Sequence, residues 1–340
     1  MMTMLRIGLV GLGRLGKIHA EILSGQISNV DLVAVCTLDD KEKSWAVSKL
    51  GLSATCCFSD FEKMLDEAKL DAVVLASPSS YHFNQTYLAL SLGIHVFCEK
   101  PLAVKEEKIQ NLFDILNTNS GLVCQVGFMR RFDPVYMKAK EKIVNGDIGE
   151  IILFRGYSLD PISEIHNFLK FLPSSSGQFL DMAVHDIDMA NWLIDAFPKT
   201  IYSCCNSFSF REFEEFGEGD NVTSLMQYEN GSMAFIMAGR TAQHGYHIET
   251  EIIGTKGTIR IGSVPSPHQL EILDGSGVRR ECYTDFADRF YLAFQNELVA
   301  FIKNIHEDEA PKCGIHEAYK ATLIALKATE SLKEKTLIKL

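Results

Sequence analysis

What the chain lacks narrows its class before any motif is considered. No stretch approaches ~18 uninterrupted apolar residues, so a membrane-spanning helix is not expected. Residues 1–5 are too few for a secretory leader, and the apolar run after them is broken by glycines and Arg14. The nine cysteines (Cys36, Cys56, Cys57, Cys98, Cys124, Cys204, Cys205, Cys282 and Cys313) form no C-x-x-C pair and are odd in number. That pattern disfavours a disulfide framework or a structural zinc site. It fits buried free thiols in a reducing compartment, and a cytoplasmic protein is expected. No basic block accompanies the net charge of −11, so nucleic acid is not an expected partner. G-x-S-x-G, G-x-x-x-x-G-K-[ST] and H-E-x-x-H are absent. With them go the local signatures of a serine nucleophile, a nucleotide phosphate loop and a zinc hydrolase.

What is present is an ordinary globular composition, 46% hydrophobic and 23% charged, at a length of 340 residues that suits two domains. The most informative stretch is IGLVGLGRLG, residues 7–16, where apolar residues run into Gly11, Gly13 and Gly16. This is G-x-G-x-x-G directly after a predicted strand and before a predicted helix. The first glycine permits a tight turn, the second admits a pyrophosphate, and the third lets helix and strand pack closely. The helix N-terminus then offers free N–H groups to phosphate. A tight strand–helix turn with no ligand is the alternative.

The first third alternates strands (6–10, 31–37, 71–76, 95–98, 123–126) with helices (from 14 through His19 and Leu23, then 45–50, 61–68, 84–92, 105–117). Near-continuous apolar strands alternating with helices predict a doubly wound parallel sheet, an α/β Rossmann domain over residues 1–126. After that the pattern changes. Segments 151–157, 200–208, 223–228, 232–238, 247–254, 258–261 and 269–273 look like strands. Glu229-Asn230-Gly231 and the turn 254–257 signal hairpins. Residues 127–340 are therefore expected to form an α+β domain with a large, mostly antiparallel open sheet, closed by a helix over 317–333. Residues 217–220, in an acidic stretch, are expected to be an exposed loop.

Three constellations carry candidate chemistry. Glu99-Lys100-Pro101 follows the strand 95–98, so Lys100 stands at the carboxyl edge of the sheet, where it can hold charge near a reacting oxygen. A surface lysine opening a loop is the bland alternative. In FLDMAVHDIDMANW, residues 179–192, helical spacing puts Asp181, His185, Asp188 and Trp192 on one stripe. Ala183, Ile187, Ala190 and Ile194 fall on an opposite, buried one. A carboxylate and an imidazole four residues apart can touch, and the first can orient the second as a base. A surface Asp–His pair is the alternative, and a metal site lacks further ligands. Arg130 and Arg131, where the domains meet in the sequence, suit hydroxyl or carboxylate recognition or a salt bridge between domains. Ser77 and His82, after the strand 71–76, are candidate cofactor contacts.

Together GLVGLGRLGKIHA, CEKPLA and GQFLDMAVHDIDMANWL resemble the glucose–fructose oxidoreductase/inositol dehydrogenase (Gfo/Idh/MocA) family across essentially the whole chain. VGFMRRFDPVY resembles its inositol-oxidising branch. The resemblance implies NAD(P)-dependent oxidation of a ring hydroxyl of a cyclic polyol, myo-inositol before others, to the ketone. It implies that Lys100, Asp181 and His185 are catalytic, with His185 taking the hydroxyl proton and Asp181 binding a neighbouring hydroxyl. Gly11, Gly13, Arg14 and Leu15 would surround the pyrophosphate, with Glu99 near the nicotinamide ribose. Arg130 and Tyr246 would line the substrate pocket. No metal is implied, and a homodimer or homotetramer through the second domain is. One departure stands out. The second strand ends in Thr37 where NAD-using relatives carry an acid for the adenine ribose. Asp39 is the nearest substitute, and NAD is expected ahead of NADP, whose 2′-phosphate would look to Lys41 or Lys43. Other sugar oxidoreductases of the same family, relatives that cleave glycosides through transient oxidation, and a non-catalytic dinucleotide sensor are the rivals.

Overall fold

Six short, strongly apolar strands build the first sheet in the computed structural model, which describes residues 3–119 and 121–340. They are β1 (Leu5–Val10), β2 (Val30–Cys36), β3 (Cys57–Phe58), β4 (Ala72–Leu75), β5 (His95–Glu99) and β6 (Cys124–Gly127). Their order is β3-β2-β1-β4-β5-β6, and every pairing is parallel. All residues of β4 and β6 are buried, as a sheet covered by helices on both faces requires. The order reverses between β1 and β4, which makes their carboxyl ends the place where such sheets bind ligands. The helix expected over 45–50 begins earlier. Asp39 caps Asp40–Trp45 through the Lys41 N–H, and a π turn (Ala46–Leu50) follows.

The second sheet is formed by β7 (Ile151–Pro161), β8 (Pro198–Asn206), β9 (Asn221–Tyr228), β10 (Met233–Ala242), β11 (His247–Gly254) and β12 (Thr258–Ile261), with the terminal β15 (Ile338–Lys339) at its edge. Its order is β12-β11-β7-β10-β9-β8-β15. β7 and β10 pair in parallel and the other neighbours antiparallel. The two turn signals do join antiparallel neighbours, β9 to β10 and β11 to β12. One face of this sheet buries alternating residues such as Val222, Ser224, Met226 and Tyr228. The other leaves Tyr202, Leu225 and Met233 exposed.

The chain falls into two units, Met1–Phe132 with Tyr291–Tyr319, and Asp133–Phe290 with Lys320–Leu340. A division of the sequence at 126/127 differs from this chiefly in where it puts residues 291–319. Four expectations are corrected. Residues 269–273 do not join the large sheet. Instead β13 (Ile272–Asp274) pairs with β14 (Gly277–Arg279) in a separate exposed hairpin. A long helix, Phe286–Glu307, occupies a stretch given no element. In the loop 217–220, Asp220 is fully buried because its carboxylate accepts the backbone N–H groups of Ser209 and Phe210. The cysteines are all free, but Cys204 and Cys205 at the end of β8 are exposed.

Candidate active site

The glycine turn is built as its sequence requires. Gly11 ends β1 with φ +85°, and a Cβ there would lie 2.5 Å from the Ala76 carbonyl oxygen. At Gly16 a Cβ would stand 1.9 Å from the Gly11 carbonyl oxygen. Gly13 is different: it is exposed, and a Cβ would meet nothing within 4 Å. Gly13 is the N-cap of the helix Arg14–Gly25, which has no side-chain cap and no acid in its first turn. Its first N–H groups are thus not consumed by a side-chain cap and suit an anion. Arg14 is exposed beside them and Leu15 half-buried. These features fit a dinucleotide pyrophosphate.

At the end of β2, Asp39 is exposed and one carboxylate oxygen accepts the Lys41 N–H at 2.7 Å. Thr37 donates to Glu42, which brings a second acid to this edge that was not among the expected residues. Lys43, a candidate for a 2′-phosphate, is engaged by Asp40 at 2.9 Å and Ser59 at 2.6 Å.

Ser77 donates to Gln85 at 2.6 Å. His82 is 1% exposed, with its ring nitrogens 2.8 Å from the Pro101 carbonyl oxygen and 2.7 Å from that of Ser77. Both nitrogens are therefore committed inside the protein, where the ring ties the end of β4 to the residue after Lys100. Burial holds its pKa below the ordinary value, against the pull of those two carbonyls. Lys100 is half-buried directly after β5, and its peptide bond to Pro101 is cis. Arg130 lies 2% exposed in the turn Met129–Phe132, and Arg131 donates to the Lys312 carbonyl oxygen at 3.1 Å.

Glu99 turns inward. It is 5% exposed, and its Oε1 is 2.7 Å from His19 Nε2. Its carboxylate packs so closely on β6 that a Cβ at Gly127 would come within 2.9 Å. The side chain expected beside the nicotinamide ribose thus lies in the interior. Glu297 completes the cluster, fully buried, its carboxyl oxygens without a hydrogen-bond partner. Burial, and secondarily the Glu99 charge, holds its pKa well above the carboxylate range. The ligand-type atoms of these three residues lie within 4.8 Å of one another. The 2.7 Å His19–Glu99 separation is nevertheless that of a hydrogen bond. Two ligands ~2.0 Å from one tetrahedral zinc would stand about 3.3 Å apart. The arrangement is that of a buried carboxyl hydrogen-bonded to an imidazole beside a second buried carboxyl.

In the second unit, Asp181 sits in a π turn (Phe179–Ala183) and His185 in the first turn of the helix Val184–Ile194 that continues it. Such turns recur at functional sites. Both residues are half-buried, and Ser175 donates its hydroxyl to Asp181. Ala183, Ile187, Ala190 and Ile194 are buried, as their stripe requires. The polar stripe is corrected: Asp188 is only 1% exposed, and Asp186, assigned to neither stripe, is 0% exposed. The π turn breaks the 3.6-residue period on which the stripe rests, and the helix is packed on almost every side. Gly156 makes room for Asp186, since a Cβ there would meet its Oδ1 at 2.8 Å, and Ser158 donates to the other oxygen. Tyr246 is 6% exposed, its N–H donating to the Tyr283 carbonyl oxygen at 2.8 Å.

Two further polar groups belong near Asp181. Arg240 on β10 donates to Asp160 at 2.6 Å, with its guanidinium 3.5 Å from the Phe168 ring centroid. Burial lowers its pKa, and attraction to Asp160, Asp181 and Glu218 raises it. Glu218 accepts the Gln178 N–H at 3.1 Å, and burial pushes its carboxyl up. Arg240 and Glu218 lie far from Asp181 in sequence, so no spacing rule points to them.

An uncapped helix N-terminus after a glycine turn, at the reversal point of a parallel sheet, with a lysine at the end of a nearby strand, defines a dinucleotide-dependent oxidoreductase. The comparisons agree. Residues 5–128 match the oxidoreductase family with an NAD-binding Rossmann fold, and residues 136–260 match the GFO/IDH/MocA C-terminal domain. The scyllo-inositol 2-dehydrogenase (NAD(+)) of Bacillus subtilis is 30% identical over 96% of this chain and 94% of its own. A crystal structure of scyllo-inositol dehydrogenase from Lactobacillus casei with bound NAD(H) and scyllo-inositol has TM-score 0.95 and 37% identity, covering 99% of each chain. The myo-inositol 2-dehydrogenase structure from Lactobacillus plantarum has TM-score 0.96 and 33% identity, again over 99% of each chain. The chain belongs to the Gfo/Idh/MocA family of NAD-dependent oxidoreductases.

Proposed function

We propose that the protein oxidises a ring hydroxyl of an inositol to the corresponding ketone. The observation that carries this reading is its full-length similarity to inositol dehydrogenases, together with Lys100 at the carboxyl end of β5 and Asp181 and His185 on successive turns of one helical segment. When bound, NAD supplies the acceptor for the hydride that leaves the hydroxyl-bearing carbon. His185 takes the hydroxyl proton. Lys100 holds positive charge near the oxygen as that proton leaves. Asp181 accepts a hydrogen bond from a neighbouring hydroxyl, and Arg130 and Tyr246 donate to others. A hydroxyl-rich substrate demands such matched partners. Gly11, Gly13, Arg14 and Leu15 cradle the pyrophosphate and Asp39 takes the adenine ribose. Ser77 lines the cofactor, while His82 acts indirectly by holding the loop after Lys100.

Oxidation at C2 of myo- or scyllo-inositol gives the same 2-keto inositol, because the carbon that distinguishes the epimers becomes trigonal. The myo epimer is what the sequence suggests. The scyllo epimer is a second reading, supported by the 37% identity to the enzyme solved with scyllo-inositol. The exposed apolar residues Tyr202, Leu225 and Met233 suit pairing of copies through the open sheet, as a homodimer or homotetramer. The free thiols suit a cytoplasmic setting. The test is reduced-nicotinamide absorbance with purified protein, NAD and each epimer. Turnover with at least one supports the reading, and none with either overturns it.

A further inference from the structure

We propose that Arg240 and Glu218 are positioning residues for Asp181, fixing the turn that carries its carboxylate and aiming it as a hydrogen-bond acceptor for the substrate. This rests on the proposed role of Asp181. The geometry has three parts. First, the arginine is fixed. Its guanidinium is held by Asp160 at 2.6 Å and lies 3.5 Å from the Phe168 ring centroid. Phe168 in turn stacks on Phe213 with centroids 5.7 Å apart and planes at 13°, within an apolar cluster that includes Ile165 and Leu172. With its side chain only 12% exposed, a cation that cannot deprotonate is held where it attracts both Asp181 and Glu218.

Second, the turn carrying Asp181 is fastened to the Glu218 loop. Glu218 accepts the Gln178 N–H at 3.1 Å, and the Gln178 side chain donates to the Gly219 carbonyl oxygen at 2.8 Å. Gly177, at φ +92°, lies so close to Glu218 that a Cβ there would meet its Oε1 at 2.3 Å. The Gly177 carbonyl oxygen accepts the Asp181 N–H at 2.8 Å, and the Ser175 hydroxyl donates to the Asp181 carboxylate. Third, Glu218 lies within electrostatic reach of Asp181. Burial, above all, and the Asp181 charge push Glu218 up, against the Gln178 N–H, Lys333 on the last helix and Arg240. A polyol offers O–H donors, so a carboxylate oxygen is the partner it needs.

The experiment compares Arg240→Met, Arg240→Lys, Glu218→Ala, Asp181→Asn and Arg240→Met/Asp181→Asn. Each is measured for inositol oxidation, with the KM for NAD followed alongside. Loss of the Arg240 charge should lower kcat/KM for inositol about tenfold while leaving the KM for NAD unchanged. Arg240→Lys should restore most of that loss. Glu218→Ala, which removes the acceptor for the Gln178 N–H, should lower kcat/KM for inositol in the same way, again at an unchanged KM for NAD, and it provides the test if Arg240→Met does not fold. The double variant should be no worse than Asp181→Asn. Parental kcat/KM for inositol in both Arg240→Met and Glu218→Ala, or an Arg240→Met loss that persists undiminished in the Asp181→Asn background, overturns the proposal. Wild-type kcat/KM in Asp181→Asn would instead refute the role of Asp181 on which it rests.

Discussion

Gly13 and Gly16 stand three residues apart in one motif, yet an added methyl group should act on them in opposite ways. At Gly16 a Cβ would sit 1.9 Å from the Gly11 carbonyl oxygen, where even 3.0 Å is closer than real contacts allow. The backbone would have to part by at least the difference, 1.1 Å. Overpacking of that kind costs about 1–3 kcal/mol, and about 2–4 °C of Tm accompanies each kcal/mol in a domain of ~150–250 residues. At Gly13 a Cβ meets nothing within 4 Å. Its φ of −65° suits any residue. Losing glycine from the N-cap costs less than about 1 kcal/mol. What Gly13→Ala removes is the close approach of a pyrophosphate, and a tenfold or greater loss of NAD affinity, about 1.4 kcal/mol, is expected. Scanning fluorimetry and calorimetric NAD titration on both variants separate these effects. Gly16→Ala should melt several degrees lower, while Gly13→Ala should melt within about 2 °C of the parent and bind NAD weakly. Undiminished NAD binding by Gly13→Ala would refute the placing of the pyrophosphate at this turn.

Other consequences are as direct. Burial raises the Glu297 pKa in the folded protein, whereas the unfolded chain titrates near ~4.3. Its contribution is therefore full below that pH and is lost as pH rises toward the folded value, by up to ~1.4 kcal/mol per unit. Glu297→Gln should flatten the fall of Tm as pH rises above about 5; parallel Tm curves would contradict this. Lys100→Met should lower kcat by roughly 10²-fold or more while NAD still binds, and unchanged turnover would remove Lys100 from the chemistry. Burial pushes Cys36 up to about 11 and Cys124 up to about 12, so neither should be alkylated at pH 8 until the protein is unfolded, as peptide mapping would reveal. If copies pair through the open face of the second sheet as proposed, Leu225→Glu should shift the protein toward monomer in sedimentation, and an unchanged state would refute that pairing.

The parts legible in the sequence are those with local causes. Apolar strands ending in glycine, or in Glu99-Lys100-Pro101, disclose a parallel sheet and its ligand edge because strand, turn and helix follow one another in the chain. The hairpin at Asn230-Gly231 is visible for the same reason. What the sequence hid has longer-range causes. The helix Phe286–Glu307 carries a buried stripe of Phe290, Phe294, Glu297 and Phe301, in which a fully buried glutamate interrupts the apolar period. Glu99 and Glu297 are charged by type, and nothing local in the chain marks that they meet beside His19 in the interior. Asp188 and Asp186 defeat a helical-wheel reading for a similar reason. Arg240 and Glu218 reach Asp181 through the sheet and a loop. Cys204 and Cys205 are neighbours on a strand, so their side chains point to opposite faces and a single buried face could take only one of them.

The most direct measurement is steady-state reduction of NAD by the purified protein with scyllo- and myo-inositol, beside the Lys100→Met and His185→Ala variants. The prediction is turnover with one or both epimers, abolished at Lys100 and made dependent on added base at His185. NAD binding without reduction by either inositol, or full turnover in both variants, would contradict the assignment of this protein as an inositol dehydrogenase acting through these residues.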